Sequence, residues 1–295
     1  MVGKIRVFKD VISSIKLKQF AEINGLTINN RCKVGSDITD HLLSFTPLQY
    51  PLSKDGYFDY LMPDKIDNKC LNFLNDCKSG TYLRRVWGGG SLKLFSSIEH
   101  DKIYSCVESV KTLKRTFSGI YVILKRDIIH ADDTNTSNHE SSSSSSSSVL
   151  LQEIRNLVYT DSEPTVSYYD NLTNDRSLLD GQIIETFAFE IDNVTKYNIL
   201  SSNPHRVHWD KNYAVNIEKY KDIIVPGPYI LQLSTNLIES ALGSPLTNIK
   251  YRNLNFIYST TVINLLADSK FKTFWLVDKK DPRLIYFILN IEENM

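Results

Sequence analysis

Two histidines stand three residues apart in the run Asn203-Pro204-His205-Arg206-Val207-His208-Trp209-Asp210-Lys211-Asn212-Tyr213-Ala214, the densest stretch of reactive side chains in the sequence. At that spacing both imidazoles share one face of a helical turn. Pro204 suits the start of such a turn, where backbone N–H groups are left without partners. A metal site would need a third and a fourth ligand, and His41, His100, His130 and His139 stand in unrelated contexts, so no metal is expected. An imidazole with an ordinary pKa of about 6.5 exchanges protons at neutral pH. The cluster therefore suits general acid/base chemistry. For an isolated pair, two surface or capped histidines would be the competing reading.

The pair is not isolated. Nine residues after Ala214 comes Ile223-Ile224-Val225-Pro226-Gly227-Pro228-Tyr229. From Pro228 to Leu242 the apolar residues Ile230, Leu231, Leu233, Leu237, Ile238, Ala241 and Leu242 recur at spacings of three and four. This pattern predicts a buried helix of about four turns opened by Gly227. A glycine there lets a substrate approach the backbone, and its N–H can polarise a carbonyl oxygen. A base and an oxyanion donor are the parts needed to form an enolate from a thioester.

The elements around these residues read mostly as strands. Ile103–Leu113 and Ile120–Asp127 form a hairpin pattern about Arg115–Gly119, and Leu150–Thr160 and Gln182–Ile191 read as further strands. After the helix come Asn248–Ile257, Thr260–Ala267, Lys272–Asp278 and Leu284–Ile291. One buried helix followed by an antiparallel meander implies a curved sheet wrapped around it. Residues 132–148 carry no apolar side chain and end in eight serines, Ser141–Ser148, the composition of a flexible linker.

Composition narrows the classes. The chain has 295 residues, 34 basic and 34 acidic side chains, a balance that argues against nucleic acid as the main partner. No run of about 20 apolar residues exists, so no membrane span is expected. Four cysteines, Cys32, Cys70, Cys77 and Cys106, form no Cys-x-x-Cys pair, so neither a structural zinc nor a disulfide framework is expected. The first twenty residues depart from neutrality. Lys4, Arg6, Lys9, Lys16 and Lys18 face Asp10 alone and interleave with apolar residues. The segment fits either an organelle-targeting sequence or an amphipathic surface helix.

Four segments, in order, resemble one family. Arg84-Arg85-Val86-Trp87-Gly88-Gly89-Gly90-Ser91-Leu92 is similar to its R-R-M-W-A-G-G-S-L motif. Gln152–Tyr159 is similar to its E-x-R-D-I-V-Y strand. Asn203–Ala214 is similar to its hydratase segment, and Ile249–Leu254 to its F-x-Y-R-N-L strand. The chain resembles the MaoC-like hotdog dehydratases and, among them, the fungal mitochondrial 3-hydroxyacyl-thioester dehydratase type 2 family. The resemblance implies an α+β double hotdog, with curved antiparallel sheets each wrapped around a central helix. It divides the chain into a possible targeting segment (1–30), a degenerate N-terminal hotdog (31–131), the serine-rich linker (132–148), and the rest of the N-terminal sheet with a catalytic C-terminal hotdog (149–295).

The implied reaction is dehydration of (R)-3-hydroxyacyl thioesters, or hydration of trans-2-enoyl thioesters, on acyl-carrier protein or coenzyme A, in the mitochondrial matrix. No cofactor is implied, and a homodimer is compatible. His208 is the expected acid/base, Asn203 the holder of the water or hydroxyl, Gly227 the enolate donor and His205 a second proton carrier. Arg206, Pro226 and Tyr229 are the expected substrate contacts, although for Arg206 a pairing with Asp210 is slightly favoured over carrier phosphate. The broader pattern D-x-N-P-x-H departs here: Asn203 takes the place of its Asp and His205 that of its Asn. Pro226 stands where the family usually has His. A hotdog thioesterase is the alternative enzyme, but it needs a carboxylate, Ser or Thr near the helix start, and the nearest such residues, Ser234 and Thr235, lie two turns in. A non-catalytic acyl-thioester binding module is the third reading.

Overall fold

The computed structural model describes residues 5–26, 38–58, 82–116, 119–131, 148–168 and 181–293. The linker, apart from Ser148, and Cys32, Cys70 and Cys77 lie outside the described residues. Among the described residues, ten strands and three helices position the site. The strands are β1 (Ile5–Val11), β2 (Arg84–Leu94), β3 (Ile103–Thr116), β4 (Gly119–His130), β5 (Leu151–Thr160), β6 (Gln182–Ala188), β7 (Asn248–Asn253), β8 (Val262–Ala267), β9 (Thr273–Asp278) and β10 (Ile285–Ile291). The helices are α1 (Ser14–Ile23), α2 (Ile191–Leu200) and α3 (Gly227–Leu242).

All ten strands join one antiparallel sheet in the order β1-β3-β4-β5-β2-β7-β10-β9-β8-β6. The order reads the same from either end. In each half the first strand lies at the outer edge beside the third, and the second lies at the centre beside the fifth. This is a double hotdog. The two halves meet where β2 pairs with β7, Gly90 opposite Tyr251. Gly90 is required there, because a Cβ would stand 1.9 Å from the Ile154 carbonyl oxygen and 2.8 Å from the Tyr251 hydroxyl.

The helix α3 carries the core. Its Tyr229, Ile230, Leu231, Leu233 and Ile238 are buried, and Gly243 ends it with φ 66°, the left-handed C-terminal conformation that glycine adopts without strain. Tyr229 stacks on Tyr197 of α2 at 4.4 Å, and Phe20 of α1 meets both rings edge-on at 6.0 Å. Three helices from both halves thus lock around one aromatic cluster.

Three expectations need correction. The N-terminal segment does not open as a single surface helix: Ile5–Val11 is an edge strand and only Ser14–Ile23 is helical. Over the first three residues of β1 the usual polarity is inverted, although Phe8 is buried in the ordinary way. Ile5 and Val7 are exposed, while Arg6 turns inward, where its Nη1 meets Glu108 Oε1 at 3.0 Å. The strand Gln182–Ile191 stops at Ala188, because Ile191 begins α2, which buries Val194 and Tyr197 at helical spacing. Finally, the last four strands are not a simple meander. The strand β7 pairs with β10, and β8 pairs with β6.

Candidate active site

Helix α2 ends in a tight loop that delivers both histidines. The Asn203 N–H donates to Asn198 O at 2.8 Å, and Asn203 Oδ1 accepts from the His205 N–H at 3.2 Å. A short 3-10 turn, Arg206–His208, follows. The Asn203 side-chain oxygen therefore shapes the turn, which leaves its NH2 as the group able to donate to a hydroxyl. Arg206 is held by Asp210, Nη2 to Oδ2 at 2.8 Å, and lies over the Tyr213 ring at 4.1 Å.

His208 is buried and its Nδ1 lies 2.8 Å from the Ile224 carbonyl oxygen. A carbonyl only accepts, so Nδ1 carries the proton and Nε2 keeps its lone pair. Burial, reinforced by neighbouring His205, pushes the pKa down to about 3 against the hydrogen bond to Ile224. His208 is thus a neutral imidazole with a fixed tautomer. The His205 ring meets it edge-on at 5.1 Å. Burial pushes His205 down to about 4, opposed by the Asp55 carboxylate and helped by Arg85.

Gly227 opens α3 after Pro226, and its N–H has no hydrogen-bond partner among the described residues. An unpaired N–H at a helix N-terminus carries partial positive charge. The position admits no side chain easily, since a Cβ would lie 3.0 Å from the Trp87 ring and 3.3 Å from Asn253 Nδ2. Trp87 is itself fixed: its Nε1–H donates to Gly89 O at 3.0 Å, its carbonyl accepts from Asn253 Nδ2 at 2.8 Å, and the Arg155 guanidinium covers its ring at 4.9 Å. Arg155 is aligned by Glu153, a buried carboxylate that also takes Arg126 and His41. All four sequence motifs converge here: Trp87, Arg155, Asn203 with both histidines, and Asn253 line one cavity of about 170 Å³ that also reaches Gly227.

A profile of the hydroxyacyl-thioester dehydratase type 2 family matches residues 39–259. The mitochondrial hydroxyacyl-thioester dehydratase type 2 of Saccharomyces cerevisiae is 31% identical over 293 residues, which cover 97% of this chain and 98% of the yeast protein. The chain belongs to the hydroxyacyl-thioester dehydratase type 2 family. Solved structures agree on the fold. HtdX of Mycobacterium tuberculosis superimposes with TM-score 0.63 at 9% identity, over 97% of this chain and 98% of that one. A MaoC-like dehydratase from Phytophthora capsici gives 0.63 at 11% identity, over 99% and 96%.

Within this dehydratase the cavity gathers His208, Asn203, Gly227 and His205, but not the three expected substrate contacts. Tyr229 points into the core, where its hydroxyl donates to Asn24 Oδ1 at 2.6 Å. Pro226 is the residue before α3, and the cavity is lined instead by its neighbours Val225 and Gly227. Arg206 is engaged by Asp210, as its alternative reading had it. The sequence reading missed Trp87 and Arg155 as site residues, although both sit inside the motifs it singled out. It also missed Asp55 and the Ile224 carbonyl, which carry no local signal. Ser234 and Thr235 are fully buried in α3 and neither lines the cavity, so neither presents there the hydroxyl that a thioesterase would need.

Proposed function

We propose that this cavity removes water from (R)-3-hydroxyacyl thioesters, and adds it to trans-2-enoyl thioesters, with His208 as the acid/base. The observation that carries the reading is the tautomer of His208. Its Nδ1 proton is spent on Ile224, so Nε2 is free to take a proton from C2, which the thioester carbonyl acidifies. The carbonyl oxygen gains charge as the C2–H bond breaks, and the Gly227 N–H donates to it, worth about 3 kcal/mol by comparison with other oxyanion donors. The C2=C3 bond forms, C3–O breaks, and the hydroxyl, held by Asn203, leaves as water with one proton. His205 is the second proton carrier.

The substrate's carrier is either acyl-carrier protein or coenzyme A, and the setting proposed is mitochondrial type II fatty acid synthesis in the matrix, supported by the mitochondrial yeast relative. Since β1 and α1 are part of the fold, a targeting role for residues 1–30 requires that the segment be read without being removed. Fusing residues 1–30 to a fluorescent reporter tests this. A cytosolic reporter would end the assignment of the signal to that segment.

Crotonyl-CoA is the direct probe of activity. Loss of the conjugated enoyl absorbance with the thioester intact is the expected result. Release of free thiol would instead show a thioesterase.

A further inference from the structure

The catalytic loop lacks the carboxylate of the wider hydratase pattern, yet a carboxylate reaches it from the other half of the molecule. Asp55 is buried, and its Oδ2 lies 3.5 Å from His205 Nε2 and 3.3 Å from Arg85 Nη2. Its other oxygen, Oδ1, accepts from the Ser53 hydroxyl and from the Tyr57 N–H. The carboxylate is thereby oriented with Oδ2 toward the imidazole. The backbone closes the same joint, because the Asp55 carbonyl accepts from the Arg206 N–H at 2.9 Å. Gly56 permits that approach: a Cβ there would stand 2.6 Å from Arg206 Cγ and 2.8 Å from the Pro204 carbonyl oxygen.

We propose that Asp55, supplied by the N-terminal half, is the positioning carboxylate of His205 and fills the role vacated where Asn203 replaces the acid of the catalytic loop. The proposal rests on the dehydratase reading of His208. A buried imidazole resists protonation, and an opposite charge within about 4–6 Å offsets that resistance. Asp55 therefore lets His205 hold a proton in transit. The proton that His208 takes from C2 passes to the adjacent His205 and then to the departing hydroxyl, so one C–H and one C–O bond break, one C=C bond forms and water leaves. The other groups around the pair are Arg85, which competes for Asp55; His208 and the Tyr57 ring, at 5.1 Å and 5.9 Å from the His205 ring; and Glu218 with Arg84 and Tyr213 behind Asp55. Burial, followed by the charge of Asp55, raises Glu218 to about 7, while Asp55 is the carboxylate in contact with His205.

The test uses the full chain and crotonyl-CoA hydration, with kcat, KM and the pH profile of kcat/KM measured for each variant. Asp55→Asn keeps the size and an acceptor for Tyr57. It should lower kcat on the order of 10- to 100-fold, as loss of a carboxylate that orients a histidine does, with KM little changed. Losing the negative charge lowers the imidazole pKa, so the limb that reports His205 should move to lower pH whichever protonation state is the working one. In a His205→Gln background, Asp55→Asn should have no further effect, and Asp55→Glu should retain most of the activity. Wild-type kcat with an unmoved limb in Asp55→Asn, or additive losses in the double variant, would overturn the proposal. Should Asp55→Asn not fold, Asp55→Glu carries the test, because its retained charge must leave the limb in place and a falling limb overturns the proposal. His208→Ala run in parallel separates the two readings: full activity there refutes the underlying mechanism, whereas an inactive His208→Ala beside a fully active Asp55→Asn refutes only the role of Asp55.

Discussion

His208 and Ile224 stand sixteen positions apart, and the Ile224 carbonyl oxygen fixes the histidine's Nδ1 proton at 2.8 Å. Ile224 is three residues before Gly227, so one short segment sets the tautomer of the proposed base and then presents the proposed oxyanion donor. The backbone course of Ile224–Gly227 therefore places both groups of the proposed reaction.

His208→Ala should lower kcat by roughly 100-fold or more with the fold intact, the usual cost of removing a general acid/base. His208→Asn tests the tautomer as well, since its amide can still reach Ile224 but carries no base. Enoyl hydration rates and melting curves check both, and an active, folded His208→Ala refutes the assignment.

Asn203 uses its oxygen on the His205 N–H, which leaves its NH2 to donate to the hydroxyl in the proposed reaction. Asn203→Asp keeps the first function and should retain part of the activity. The added charge near His208 raises the imidazole pKa, so the limb reporting its deprotonation moves to higher pH. Asn203→Ala loses both functions and should be the more damaging change. An Asn203→Ala enzyme with wild-type kcat beside an inactive Asn203→Asp would remove Asn203 from the mechanism.

Acid should destabilise the fold before it titrates the carboxylates. Folded His205 and His208 have pKa values of about 4 and about 3, below the 6.5 of a free histidine. Between those values the unfolded chain binds more protons, so stability falls as pH drops from 6.5 through 4. Urea midpoints at pH 7 and pH 5 should show the lower midpoint at pH 5. His208→Gln should reduce the difference, and a higher midpoint at pH 5 would mean that the native imidazoles are charged.

Phe20 joins the N-terminal helix to Tyr197 and Tyr229 and is 1% exposed. Phe20→Ala should cost about 3–5 kcal/mol, the range for deleting a buried aromatic ring, and truncation through residue 23 should cost more. Denaturant unfolding measures both. A truncated chain of unchanged stability would show that β1 and α1 are dispensable.

Much of this was readable from residue types. The Val, Ile and Tyr richness of Ile120–Asp127 beside a turn identifies β4, and the three-four spacing of Ile230–Leu242 identifies α3 because burial of one face dictates the period. The histidine loop and Gly227 were legible because their chemistry is local in sequence. Asp55 was not, because nothing near it signals a partner at His205, 150 positions on; only the fold brings them together. The strand β1 was hidden for a different reason, as its buried Arg6 is tolerated only through Glu108, a partner no local pattern reveals. The helix α2 was hidden by Ile191, Val194 and Thr195, whose branched side chains favour strands until Val194 and Tyr197 are buried along one face.

The central seam has a consequence for synthesis. Lys93 of β2 pairs with Asn248 of β7, about 155 residues later. At roughly 5–20 residues per second the nascent N-terminal half waits on the order of 8 to 30 s for that partner. Throughout that interval β2 is an open edge, the kind of surface that recruits foreign strands. Gly88, Gly89, Gly90 and Lys93 make it a poor template, since glycine disfavours strand addition and an edge lysine resists burial. The glycines that later seat the two halves together, with no room for a Cβ at Gly89 or Gly90, thus also lower the strand propensity of that edge during the wait.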